Sequence, residues 1–490
     1  KNQICFNRRR KNRDYKNVTF IMEKRQRQPL PLTELTAITI LDGRNRADVA
    51  ELAPYVSEFG IIKTRVEVEA RYLVALSDVG VVRPLTPVEK KKLLSFGERI
   101  SFSDAKKIKK IEEETDHDVK SMERAFRAML SGTSMEDLTE KVHFGLTSED
   151  VNNIAYRLIL KRVTQDVSLP ALDGLLDDLL ENAKAYKKTP MLARTHGQAA
   201  VPTTLGHEIA VFSRRLNKQV RQLEKYPLEG KLTGAVGNLN ALNDSYPDID
   251  WISFAQNFVR SFGFSPNLTT TQIAPYEDMI EYFQHYSRIN NILLDFDQDV
   301  WRYISDHWFT QELKEGEAGS STMPQKINPI KFENSEGNLG KANAIFEFFS
   351  RKLPVSRLSR DLSDSTVIRE MGAPLGWSLL AYKNTRRGLA RVSPNTKLIA
   401  RALNEDWSIL SEAAQTRMRK YGVDDPYSIM KKIIQGRNVG KEEWTQIVEQ
   451  LPLSDEQKED LKCLTPETYI GLAVELTEKA IEEIESSRKK

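Results

Sequence analysis

The sequence predicts an all-α protein with a long helical bundle, and three observations lead there. Apolar residues recur at helical spacing over long stretches, strong breakers are sparse, and strict apolar–polar alternation is scarce. Leu205, Ile209, Phe212, Leu216, Val220 and Leu223 make one stripe, with Arg, Lys and Gln between them. Ile289, Ile292, Phe296, Val300 and Tyr303 make a second. Both follow the 3.6-residue period of helices that bury one face. Only 24 glycines and 20 prolines punctuate 490 residues, which favours helices over a turn-rich β architecture. Helices of this length bury their stripes in a bundle, within one chain or across subunits.

Composition bounds the function. A chain this long exceeds one compact core and suits two or three domains. Apolar residues at 40% and charged residues at 29% are ordinary for a globular protein. A net charge of +3 offers the chain as a whole no electrostatic case for nucleic acid. Cys5 and Cys463 cannot form a disulfide framework and fit a reducing compartment. No apolar run approaches the roughly 20 residues that span a bilayer. The expectation is therefore a cytoplasmic protein that binds neither membrane nor nucleic acid. Residues 1–28 stand apart, with Arg8, Arg9, Arg10, Lys11, Arg13 and Lys16 opposed only by Asp14. They read as an unstructured basic extension, with organellar targeting or a nucleic-acid-binding arm as alternatives and Met22 as a candidate start.

From about Leu35 the chain becomes globular, and its polar segments fall at interruptions in the helical pattern. The breaks are Lys188–Gln198, Pro227–Asn243 and Glu315–Pro329, with Pro426, Gly436 and Pro452 punctuating a last stretch of shorter helices. Loops held between rigid helices are where binding and catalytic groups concentrate.

Five segments carry candidate chemistry. In Thr115-Asp116-His117-Asp118, a His between carboxylates suits acid–base work, although Asp and Thr equally suit a helix cap. In Leu146-Thr147-Ser148-Glu149-Asp150, Thr147 and Asp150 approximate a capping box, and the same N-terminus offers donors to a carboxylate. Arg194-Thr195-His196-Gly197-Gln198 sets a His in a loop, as a proton donor at neutral pH or as a packed loop residue. Gly319–Pro329, reading GSSTMPQKINP, combines the hydroxyls of Ser320 and Ser321 with the Lys326 cation and the Asn328 amide, a set suited to a carboxylate gaining charge. Last, Arg360, Ser365 and Arg369 make an anion site if a helix begins near Ser363 or Asp364, or otherwise a salt-bridged surface.

Together LTAITILDGR, HFGLTSEDVNN, RTHGQ, GAVGN, GSSTMPQKINPIKFENSEGNLG and KLPVSRLSRDLSDSTVIR resemble the fumarase/aspartase superfamily. SEGNLG and RDLSDSTVIR narrow the likeness to its adenylosuccinate lyase family, bacterial and plant type. The resemblance runs from about Leu35 into the C-terminal region. It implies a three-domain fumarase/aspartase-like subunit, with an N-terminal helical domain over 29–137, a central bundle over 138–390 and a C-terminal helical domain over 391–490. It further implies a homotetramer whose active sites are each assembled from three subunits, a nucleotide-type substrate, and no metal or organic cofactor. The implied reactions release fumarate from adenylosuccinate and from the succinylated aminoimidazole carboxamide ribotide.

By the same resemblance, Ser320 is the general base and His196 the general acid. Thr147, Ser148, Lys326 and Asn328 stabilise the doubly charged intermediate. His117 orients substrate, Asp116, Thr195 and Gln272 contact it, and Arg44, Arg360, Ser365 and Arg369 hold its phosphate. The chain departs from the family pattern at Asn45, Asp116, His207, Leu239, Leu242, Ala274, Tyr276 and Gln325. Those departures leave two alternatives: a diverged lyase for another N-succinyl-type substrate, or a non-catalytic tetrameric binding protein.

Overall fold

The structure, a computed structural model, describes residues 31–313, 316, 323–437 and 439–489. The basic extension at 1–28 and the Gly319-Ser320-Ser321 stretch lie outside the described residues. Helices dominate, and side-chain caps fix many of their starts. Helix α1 (Glu58–Asp78) begins at Ser57, whose side chain accepts the Gly60 N–H. Helix α2 (Phe102–Thr115) opens with a Ser101–Asp104 capping box and stops at Asp116, which takes a left-handed conformation at φ 48°. Helix α3 (Asp118–Leu130) follows at once, with His117 as its N-cap. Helix α4 (Ser148–Val163) runs through a single π turn at Thr164–Ser168 into α5 (Leu169–Tyr186). That turn is stitched to the bundle: the Tyr286 hydroxyl lies 2.8 Å from Thr164 Oγ1 and 2.9 Å from Ser168 Oγ.

The two stripes read from sequence become helices α6 (Leu205–Lys225) and α7 (Glu277–Ser305). All six stripe residues of α6 are buried, as are Ile289, Ile292, Phe296 and Val300 of α7. Helices α8 (Ile330–Lys352), α9 (Ser363–Ile368) and α10 (Gly372–Leu389) follow. Helix α5 packs on α6, α6 on α7, α7 on α8, α8 on α10, and α10 back on α5. This ring is the central bundle, and α11 (Ala473–Arg488) lies along α6. A polar seam runs inside the ring. Asn290 donates to Ser378 Oγ and accepts from the Tyr382 hydroxyl, and the Thr385 hydroxyl donates to Asp297 at 3.0 Å.

The break near Lys188–Gln198 proves to be ordered as one arm of a β-hairpin, β1 (Pro190–Thr195) with β2 (Gln198–Thr204), whose first strand packs against the helix Thr396–Leu403. Alternation was hard to see there because only its base, Met191, Leu192, Pro202, Thr203 and Thr204, is buried, while the tip is exposed on both faces. Pro426 also differs from expectation. It starts the helix Pro426–Ile434 in its first turn, where a proline's missing N–H leaves nothing unsatisfied.

Candidate active site

Helix starts and turns, rather than helix bodies, assemble a polar cleft that gathers many of the expected residues. It measures about 450 Å³ and is lined by Asp116, His117, Thr147, Ser148, Gln272, Arg360, Ser365 and Arg369, together with Glu112, Asp118, Asn152 and Leu362. Four separate stretches of chain meet there, so eight of the fourteen site residues expected from sequence share one cavity.

The first wall is the α2–α3 junction. The Lys120 N–H donates to His117 Nδ1 at 3.2 Å, so the ring both caps α3 and faces the cleft. The cap reading of this segment holds, and the capping residue also lines the cleft. The second wall is the start of α4, where the expected box is present. The Thr147 N–H donates to Asp150 Oδ2 at 2.9 Å, and the Asp150 N–H donates back to Thr147 O. The other Asp150 oxygen accepts the Thr233 N–H at 3.0 Å and the Gly234 N–H at 3.2 Å, with Lys231 Nζ at 3.1 Å. Asp150 and Lys231 are both fully buried, so the loop after β3 (Glu229–Gly230, paired with β4, Ser265–Pro266) is welded to this helix start.

The third wall is the turn at Gln272, whose Nε2 donates to Ala235 O at 2.9 Å. The fourth is α9, which begins at Ser363 as the anion-site reading required and sets Ser365 and Arg369 one turn apart. Arg369 lies 2.6 Å from Asp118, which also meets the buried Arg65 at 2.8 Å. Burial raises the Asp118 carboxyl, but the two guanidiniums outweigh it and hold the group below the ordinary carboxylate range.

Five expected residues lie elsewhere in the chain, and a sixth, Ser320, is outside the described residues. Thr195 and His196 sit at the exposed hairpin tip, His196 with a positive φ of 52°. Lys326 is exposed in a turn closed by its N–H to Met323 O, Asn328 follows it, and Arg44 is exposed ahead of a short helix at Arg46. Three further groups here have little sequence signal: Asp118 and Glu149 read as cap residues, and Arg65 carries no local signal.

Several family departures turn out to be interior. Ala274 and Tyr276 are buried, and the Tyr276 hydroxyl donates to Asp364 at 2.9 Å. Leu242 is buried against Gly145, whose φ of +70° and contact with Leu242 Cδ2 leave no room for a side chain. Among the described residues, no group of three or more His, Cys, Asp and Glu side chains is placed to hold a metal ion.

Comparison with known proteins gives the family. Residues 65–344 match the family described as Lyase, and residues 356–470 match Adenylosuccinate lyase C-terminal. Adenylosuccinate lyase of Haemophilus influenzae is 43% identical over 454 residues, 92% of this chain and 100% of its own. That of Escherichia coli strain K12 is 41% identical, and that of Dictyostelium discoideum 43%. The chain belongs to the adenylosuccinate lyase family. A member of the adenylosuccinate lyase family is a carbon–nitrogen lyase of the fumarase/aspartase superfamily, and the mainly α-helical fold agrees. A 3-carboxy-cis,cis-muconate lactonizing enzyme from Pseudomonas putida shares that fold at a TM-score of 0.70 and 18% identity, over 90% of this chain and 98% of its own. A fumarate lyase from Mesorhizobium sp. BNC1 does so at 0.70 and 15%, over 88% and 97%. Among the described residues, no helix is long and apolar enough to cross a membrane.

Proposed function

We propose that the cleft between the starts of α3, α4 and α9 is where this lyase binds adenylosuccinate and releases fumarate, and that it treats the succinylated aminoimidazole carboxamide ribotide likewise. One observation carries the reading: two arginines and the hydroxyl-bearing starts of α4 and α9 converge on a single cavity. Arg360, Arg369 and Ser365 suit a phosphate, because a guanidinium offers a planar fork and a helix start offers N–H groups. Thr147 and Ser148 suit the succinyl carboxylate, whose charge grows when the neighbouring C–H loses its proton. His117 and Gln272 fix the substrate between the two ends, and Asp116 borders it.

In this reading Ser320 removes that proton and His196 protonates the departing nitrogen, while Lys326 and Asn328 stabilise the intermediate and Arg44 reaches the phosphate. None of the four described members of this second group, His196, Lys326, Asn328 and Arg44, lines the cleft of its own chain. The exposure of His196, Lys326 and Arg44 supports a homotetramer in which other copies complete each site, within the three-domain subunit already expected. Measuring fumarate release from both substrates tests the assignment. Turnover of neither, with release from another N-succinyl compound, would move the chain to the diverged reading.

A further inference from the structure

Behind the cleft lies a buried cluster whose charges do not balance. The side chains of Glu149, Arg360 and Asp364 are 2%, 12% and 2% exposed. One Nη of Arg360 lies 3.5 Å from Glu149 Oε2 and 3.9 Å from Asp364 Oδ1, contacts looser than the usual charged hydrogen bond. Its other Nη donates to Gln272 Oε1 at 3.2 Å. Among the described residues, Glu149 Oε1, Asp364 Oδ1 and Arg360 Nε have no hydrogen-bond partner.

Two carboxylates thus share one guanidinium, and the neighbouring cations are engaged elsewhere. Lys231 is held by Asp150, Arg157 of α4 by Asp278, and Arg369 on the cleft side by Asp118. The Tyr276 hydroxyl serves the second Asp364 oxygen. His117, Asp116 and Glu112 face the cleft beyond Arg360. Burial pushes the Glu149 carboxyl up to about 7, with Arg360 opposing the rise and Asp364 adding to it.

We propose that Glu149 is a positioning residue for substrate: it steadies Arg360 while the cleft is empty and takes up one proton when a substrate anion engages that guanidinium. The inference rests on the reading of Arg360 as an anion contact. An anion arriving beside Arg360 adds negative charge next to an already crowded carboxylate pair. The proton comes from solvent, and only the carboxyl O–H bond forms. By linkage, the bound state then holds one more proton than the free state, so affinity is fullest at low pH and falls as pH rises through the Glu149 value.

The experiment compares the full chain with E149Q and R360Q, following KM for adenylosuccinate across neutral pH. In the wild type KM should rise by up to about tenfold per pH unit above neutrality, the limit for one linked proton, with the slope in KM and not in kcat. E149Q should lack that slope, and R360Q should raise KM at every pH. A wild-type KM in R360Q would sink the underlying reading of Arg360. A raised KM in R360Q together with a wild-type slope in E149Q would overturn the role of Glu149 alone. Should E149Q fail to fold by circular dichroism, infrared difference spectra of the wild type with and without AMP decide. A protonated-carboxyl band that grows on binding supports the proposal, and no change overturns it.

Discussion

Asp118 holds two guanidiniums at once, Arg369 at 2.6 Å and Arg65 at 2.8 Å, and so ties an arginine of the cleft to one in the core. Its carboxyl is depressed in the folded state from an ordinary value of 3.8. The stability it lends is therefore present above that value and lost as pH falls through the folded one. Asp118→Asn should lower stability at neutral pH by about 1.5–3 kcal/mol, the scale of hydrogen bonds to charged groups, with a smaller difference in acid. Denaturant titrations of both proteins at neutral and acid pH check it. KM should rise as well, since Arg369 loses its hold.

His196→Ala and Ser320→Ala should each lower kcat by about 10²–10⁴-fold, the range of a lost acid or base, with the circular dichroism spectrum retained. Wild-type turnover in either variant would remove that residue from the mechanism.

Assembly can be tested through the separation of the two groups of residues. Mixing the inactive variants His196→Ala and Arg369→Gln during refolding should restore activity in about a quarter of sites, if each site draws the two residues from different copies at random. Activity that never rises above the sum of the separate variants would place both residues in one chain's site.

Lys231 and Asp150 face each other at 3.1 Å with no exposure at all. Replacing Lys231 with Met leaves a buried carboxylate without its cation, and breaking such pairs costs about 3–5 kcal/mol. The melting temperature should fall clearly, and the capped start of α4 should lose hydrogen-exchange protection first.

Asp297, inside the bundle seam, is pushed by burial up to about 8, with the Ser335 and Thr385 hydroxyls opposing the rise. A folded value above the unfolded 3.8 means its stabilising share is complete below the unfolded value and is lost as pH rises through the folded one. Asp297→Asn should flatten the decline in melting temperature as pH rises from the unfolded value of 3.8 to the folded one of about 8. A decline as steep as that of the wild type would show that other groups set it.

Periodicity made α6 and α7 legible, because Leu205 to Leu223 and Ile289 to Val300 repeat every three or four residues and bury what repeats. Local grammar made the start of α4 legible, since Thr147 and Asp150 close a box within four residues. The cleft itself was legible only in pieces. Nothing near Arg65 in sequence announces that it reaches Asp118 across 53 residues, and Glu149 reads as one more acid in a first helical turn. Leu242 and Tyr276 looked like pocket substitutions, but packing turned both inward, Leu242 against Gly145 and Tyr276 towards Asp364. Such placements are set by tertiary contacts that single-chain patterns do not encode.

The capping bond at His117 also sorts ligands. A ring that accepts the Lys120 N–H on Nδ1 carries its proton on Nε2 when neutral. While helix α3 keeps its first turn, the neutral His117 ring can offer a ligand only a donor. A carboxylate or carbonyl can accept from that ring and an amine cannot donate to it, so a side chain that begins a helix thereby acts as a chemical filter.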